Sequence, residues 1–418
     1  VEFLTQAKYH KKILNSSLSR SKKQNFFLIL LLGALCTVSP FSIDMYLPAF
    51  PEIARDLHTS LSRVSFSVSI YFIGLAFGQI FYGPFLDRFG RKPPLYWGLG
   101  LYVFASLGCL ESKTIQSLLF FRLWQALGGC AASVGCTAMV RDFFPVKEGA
   151  RVFSILMLIL GVSPLLAPTF GSFIVTAWGW QSVFASLAGI VTLFTAAIFF
   201  FLPEGHPPDP TISLKIKPIY DTFKIILREP QFFVYTLAGS FSFAGLFVYV
   251  AGSPAIFMDT FQVSAKMYGA IFAFLSIGMI GGGQVNLFLT RRHENEKIFK
   301  LALIGQVIAS VLFFIGTVQG WYGLEATIGF IFFILLGAGL TYPNAAAIAL
   351  APFSKNAGSA SALLGFLQMG LGALLSSAVG LLDYRGSLPT AAVMAASSTI
   401  GLFILWSGRK KITAPIAT

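Results

Sequence analysis

The sequence predicts an all-α integral membrane protein: twelve transmembrane helices in two six-helix bundles around a central cavity. Composition is the first observation. Of 418 residues, 56% are hydrophobic and 11% charged, where soluble domains run near a quarter charged. The second is that apolar stretches of about 20 residues, the length that crosses a bilayer, follow one another about twelve times. The third is the distribution of basic residues. With the N-terminus inside, 24 of the 30 Lys and Arg residues fall in inside segments, which places both termini in the cytoplasm.

The spans are expected near 26–48, 64–85, 94–111, 117–140, 151–175, 181–202, 231–252, 267–289, 297–318, 324–346, 358–382 and 388–407. Residues 1–24 read as a basic cytoplasmic tail on anionic lipid. The stretch "SKKQNFFLILLLGALCTV" has the order of a signal peptide, but no convincing small-residue cleavage site follows, so it is expected to stay as the first helix. Residues 25–202 form the first bundle and 231–407 the second, with 408–418 as a second cytoplasmic tail. Between them, 203–230 is a cytoplasmic linker. Its proline-rich start gives way to Ile216, Ile219, Tyr220, Phe223 and Ile226 at helical spacing, the pattern of an amphipathic helix on the membrane surface. A weak repeat supports two halves: sliding the chain by about 200 residues matches Gly78 with Gly281 and Arg88 with Arg291.

Composition also excludes function classes. The net charge of +13 is spent on orientation, so no nucleic-acid partner is expected. Cys36, Cys109, Cys130 and Cys136 lie within spans and read as small buried residues, neither disulfide framework nor metal site. His10, His58, His206 and His293 are scattered over loops and tail, and no nucleotide loop appears. An intramembrane enzyme is therefore not expected, and no repeated filter string suggests a channel.

The most specific string is "GPFLDRFGRKP" (83–93). Gly83 and Gly90 permit close backbone approach, Pro93 suits the start of a helix, and Asp87 at a membrane border needs a partner from Arg88, Arg91 or Lys92. Topology alone accounts for the bases but not for the whole string. It resembles the loop between the second and third spans of the major facilitator superfamily. "SIDMYLPAFPEIARDL" (42–57) looks like the end of the first span in the Bcr/CflA drug-resistance branch, and "FRLWQALGG" (121–129) resembles the arginine motif of the fourth. "GVSPLLAPTFGS" (161–172) is similar to the antiporter motif of the fifth. "TYPNAAAIAL" (341–350) and "AGSASALLGFLQMG" (357–370) fit the tenth and eleventh. The eighth-span copy of the loop departs, with Thr290 where an acid would fall.

The resemblance implies a gating loop of Gly83, Asp87, Arg88, Gly90, Arg91 and Lys92, with Asp87 at the start of the eleventh helix near Gly358 and Ser359. Arg91 would pair with Asp142. It implies a helix-bend motif, Gly161, Pro164, Pro168 and Gly171, that prevents leak; an ordinary kinked helix is the alternative. Proton coupling falls to Asp44 and Arg122. Asp44 is the one carboxylate placed within a span, and burial disfavours its ionised form. It is either a proton carrier or an acid of the outer interface paired with a helix end. Arg122, the one base within a span, stands on a stripe with Gln125, Gly129, Ser133 and Cys136, and either faces a wet bundle interior or snorkels outward. Small polar faces suggest a substrate cavity of Tyr71, Gln125, Tyr235, Ser242, Tyr249 and Gln368, although such faces also serve as packing seams.

The expected function is a proton-coupled antiporter of a bacterial inner membrane, exporting drug-like or amphipathic small molecules by alternating access. It is expected to be monomeric and to need no cofactor beyond the proton gradient and no metal. A dedicated carrier of one metabolite, such as a siderophore, is the alternative.

Overall fold

The structure is a computed structural model that describes residues 22–144, 146–203, 205, 207–212, 214, 216–353, 357–381, 386–408 and 412. Residues 1–21 of the expected tail lie outside the described residues, as do the second tail beyond Gly408 (bar Ile412) and Lys215 of the linker. Among the described residues there is no strand, and twelve helices are long and apolar enough to cross a membrane.

In order the spans are Lys22–Asp44, Leu61–Arg88, Lys92–Leu110, Ile115–Phe143, Val146–Trp178 and Gln181–Phe201, then Pro230–Pro254, Ala265–Leu289, Asn295–Val318, Leu324–Leu350, Ala357–Leu381 and Leu388–Gly408. Local chemistry marks their starts. Ser60 and Ser264 accept from the backbone N–H groups of Arg63 and Met267, and Thr114 with Ser117 forms a capping box ahead of the fourth span. The turn after the second span needs Gly90, whose φ is +82°, a conformation open to residues without Cβ.

Within the first six spans, the fourth packs on the second, third and first, and the fifth on the first. Within the last six, the tenth packs on the seventh, eighth and ninth. The two sets meet where the second span lies against the eleventh and the fifth against the eighth. Close approach has a sequence cause. Gly78 rests on Cys130 of the fourth span, and Gly282 on the backbone of Leu336 and Gly339 in the tenth. The seam glycine of the eighth span is thus Gly282. Gly281, which the slid alignment pairs with Gly78, has nothing within 4 Å of a Cβ position.

The first span ends at Asp44. A turn, a 3-10 segment Leu47–Ala49 and a short helix Phe50–Asp56 follow, with Tyr46, Leu47, Ala49 and Phe50 fully buried. The linker helix Ile216–Leu227 packs one side on the last six spans. Its Ile226 is fully buried, and Phe223 packs on the core of the last six spans. The chain before it is tied to the first set: Arg88 Nη1 donates to the Ile212 carbonyl at 2.9 Å, and the Asp209 N–H to the Asp87 carbonyl at 3.1 Å.

Two of the four cysteines correct the sequence expectation. Cys36 and Cys136 are joined as a disulfide, with Cα atoms 6.1 Å apart, while Cys109 and Cys130 are free and buried. A separation of 100 residues hides the pair from any reading of spacing; the packing of the first span on the fourth creates it.

Candidate functional site

Two cavities follow the interface between the two sets of spans. The outer one, about 860 Å³, is lined by Asp87, Arg91, Arg141 and Asp142 of the first set, by Gly358 and Ser359 of the eleventh span, and by Ile219 and Phe223 of the linker helix. It therefore lies at the face that carries the basic loops. The inner one, about 390 Å³, is lined by Asp44, Phe72, Phe247, Tyr249, Phe272 and Met369, with further aliphatic groups. Gln79, Ser133, Thr137 and Leu160 belong to both walls, so the cavities meet at a throat.

Asp44 is the single charged residue lining the inner cavity. The last residue of its helix, it is 6% exposed. A helix C-terminus presents carbonyl dipoles, which do not welcome an anion. Among the described residues Asp44 makes no ion pair, and the phenols of Tyr249 and Tyr268 from the second set stand within electrostatic reach of it. Tyr249 Oη is buried without a hydrogen-bond partner, whereas Tyr268 is bonded to Ser253 at 2.8 Å.

Arg122 is 0% exposed, so it does not snorkel. It does not reach Asp44 either. Its Nη1 donates to the Ser42 carbonyl at 3.1 Å and to Gln125 Oε1 at 2.6 Å. The guanidinium carbon lies 4.3 Å from the ring centroid of Tyr71 and 4.7 Å from that of Tyr46. Cation–π contacts in such a desolvated place are worth about 2 kcal/mol and offset part of the cost of burying an unpaired charge. Gln125 passes the chain on, donating to Ser106 Oγ at 2.7 Å, and Tyr102 is hydrogen-bonded to Ser42. Arg122 and Asp44 are thus linked through the backbone at Ser42, two residues before the acid.

At the loop end Arg91, 7% exposed, bridges two acids. Its Nε donates to Asp142 Oδ2 and its Nη1 to Asp87 Oδ1, each at 2.6 Å. The Arg91–Asp142 pair is the expected one. Asp87 bonds Arg91 and lines the outer cavity together with Gly358 and Ser359 of the eleventh span. In the fifth span both prolines lie inside one continuous helix. Pro164 lines the inner cavity, Gly161 faces Ile280 of the eighth span, and Gly171 closes on the Met45 carbonyl.

Of the six residues expected in the substrate cavity, Tyr249 alone lines either of these two cavities. Tyr71 covers Arg122 and Gln125 is bonded to it. Ser242 is bonded to Gln306 Oε1 at 2.6 Å and to Thr341 at 2.7 Å. Tyr235 packs on Phe299, and Gln368, 4% exposed, supports Tyr342. In this structure these side chains lie between packed helices, and most of their polar atoms are bonded there. The sequence reading passed over Gln79, Phe243, Phe247, Phe272 and Met369, the apolar wall and the throat amide. No signal in the sequence separates them from lipid-facing residues of the same type.

A family model for the Major Facilitator Superfamily matches residues 30–377. The chain is 30% identical over 381 residues to the bicyclomycin resistance protein homolog of Haemophilus influenzae, covering 91% of this chain and 96% of that protein. It is 34% identical over 383 residues to an uncharacterized MFS-type transporter, YdgK, of Bacillus subtilis, covering 91% and 94%. Multidrug resistance protein MdtL of Escherichia coli O45:K1 is 30% identical over 338 residues, covering 80% and 84%. Among solved structures, a D-xylose-proton symporter superposes with a TM-score of 0.72 at 15% identity, covering 91% of this chain and 97% of that one. A bacterial homolog of the human lysosomal transporter Spinster, inward-facing and unoccupied, gives 0.68 at 16% identity, covering 93% and 96%.

Proposed function

The chain belongs to the Major Facilitator Superfamily, a family of non-enzymatic membrane carriers, and from that premise we propose that it is a proton-coupled antiporter that exports drug-like or amphipathic small molecules. The observation that carries this reading is the lone carboxyl of Asp44 on a wall that is mainly apolar and aromatic, with a few hydroxyls and one amide. Such a cavity suits bulky, partly apolar compounds, and its one titratable acid suits a proton. The resistance-protein names of the relatives support the substrate class.

The distribution of basic residues supports a cytoplasmic basic face and the bacterial relatives support an inner membrane; on that reading the open outer cavity is the cytoplasmic mouth. A compound enters there, passes the throat at Gln79 and Ser133, and meets Asp44. Its arrival favours release of the carboxyl proton, and rocking of the two bundles then opens the cavity to the other side. Reprotonation of Asp44 from outside releases the compound. Arg122 acts on this step as a positioning residue, holding the Ser42 carbonyl and with it the helix end that carries the acid.

When the mouth closes, Asp87 moves to the N-terminus of the eleventh helix, where unpaired N–H groups favour an anion, while the Arg91–Asp142 pair keeps the loop in shape. The paired prolines and glycines of the fifth span seal its contact with the eighth. No cofactor is needed, and one chain contains the whole pathway. Uptake and efflux in proteoliposomes with an imposed pH gradient, run over a compound library, test the reading. Proton-driven flux of apolar compounds is expected; flux indifferent to the gradient contradicts it.

A further inference from the structure

One of the joined cysteines sits on the wall of the proposed route, and the other lies directly behind it. Cys36 lines the inner cavity. Its position, eight residues before Asp44, puts it about 12 Å nearer the throat along the helix. Cys136 ends the polar stripe of the fourth span, and its neighbours Ser133 and Thr137 line both cavities. Their Cα atoms are 6.1 Å apart, and the helices that carry them pack on each other. Whenever the bond is reduced, two sulfurs are left facing one another beside the residues shared by both cavities.

A third ligand is missing. Among the described residues no group of three His, Cys, Asp or Glu side chains is placed to hold a metal. Cys109 and Cys130 are buried elsewhere and line neither cavity. Zinc sites take four ligands in a tetrahedron, so the pair does not suit zinc. Two sulfurs and nothing else suit a soft ion content with two-coordinate thiolate binding. We propose that Cys36 and Cys136, once reduced, form a bidentate site for soft, thiophilic metal ions of low coordination number, and that an ion held there obstructs the route.

The chemistry balances simply. A dithiol reagent reduces the pair by exchange: its two S–H groups become one S–S bond, and the protein sulfurs take the two hydrogens. A mercury(II) ion then forms two S–Hg bonds while two thiol protons leave to water, with no electron transferred. In the disulfide form neither sulfur has a proton to give or a lone valence to offer, so the oxidised protein is indifferent to the ion. Glutathione keeps thiols reduced in a cytoplasm, and the proposed mouth opens to it.

The test uses the full chain, reduced with dithiothreitol, desalted and titrated with mercury(II) chloride, with intact mass and transport in proteoliposomes as separate readouts. The parent and the C109S/C130S variant are expected to gain one mercury at the cost of two protons and to lose transport, with dithiothreitol restoring it. C36S, C36A and C136S are expected to lose the bridged mercury adduct, and whatever rate each has without mercury is expected to be unchanged on adding it. Protein oxidised with diamide is expected to resist mercury, and zinc chloride to be without effect. Bridged mercury in C36A and C136S at the parent's level, or full transport by a mercury-loaded parent, overturns the proposal. The mass readout is independent of proton coupling, so it stands or falls apart from the antiporter reading.

Discussion

The first six spans bury charge, and the last six bury amides and hydroxyls. Among the described residues the buried charged side chains are Asp44, Arg91 and Arg122, all in the first set. The second set answers with neutral networks: Gln306 with Ser242 and Thr341, Asn344 donating to Asn286 Oδ1 at 2.6 Å, and Ser310 with Ser398 at 2.7 Å. Even the loop repeat follows this division. Where the first copy has Asp87 bridged to Arg91, the second has Thr290 turned back on the Asn286 carbonyl at 3.0 Å. A neutral buried network fixes packing with a modest net gain per bond. A buried charge is costly to keep and responds strongly to any proton or ion that arrives. On the proposed reading, energy coupling and gating fall to the first half, and the second supplies part of a shaped wall.

Substitutions sharpen or break that contrast. The largest effect is expected from Arg122→Ala, which leaves Gln125 Oε1 and the Ser42 carbonyl without their shared donor. At about 1–3 kcal/mol for each buried acceptor, transport in proteoliposomes should fall by roughly a hundredfold. Arg122→Lys should not restore it, because an ammonium lacks the planar fork that fits two rings and two acceptors. Full rescue by lysine means that charge alone is needed. Next comes the loop. Arg91→Ala removes three charge-assisted bonds, two to Asp142 and one to Asp87, and turnover should drop by about tenfold or more with insertion unchanged in a membrane-fraction blot. Wild-type turnover removes the gate from the first half.

The second half should respond differently. Ser242→Ala breaks a neutral network and should lower thermal stability by about 1 kcal/mol while leaving proton-driven transport within about twofold of the parent. Loss of coupling there erases the contrast. The smallest effect is expected from Gly365→Ala. Its Cβ would stand 3.3 Å from the Gln79 amide, pressing on the throat, so KM should shift between large and small substrates while the maximal rate holds.

How far the sequence led can be read on the seventh span. Its existence and its face of small and polar residues were both plain from periodicity, yet Ser242 turns to the ninth and tenth spans. The cavity takes the adjoining face, Phe243, Leu246, Phe247 and Val250. In a membrane both lipid and a substrate pocket accept phenylalanine, so hydropathy does not tell one apolar face from another. Charge was easier: Asp44, Asp87, Arg91 and Arg122 stood out because hydrocarbon tolerates so few. Their partners were half legible. Asp142 could be named from its place at the same loop end, but the aromatic cage of Arg122 and the Cys36–Cys136 link join residues from separate helices. Only packing brings those together.

Proton release from the purified protein on adding a transported compound, followed with a soluble pH indicator in weak buffer, tests the central assignment most directly. Parent protein is predicted to release protons, and Asp44→Asn to bind the compound in a parallel binding assay while releasing none. Undiminished release from Asp44→Asn would place the coupling proton elsewhere and leave Asp44 a structural acid.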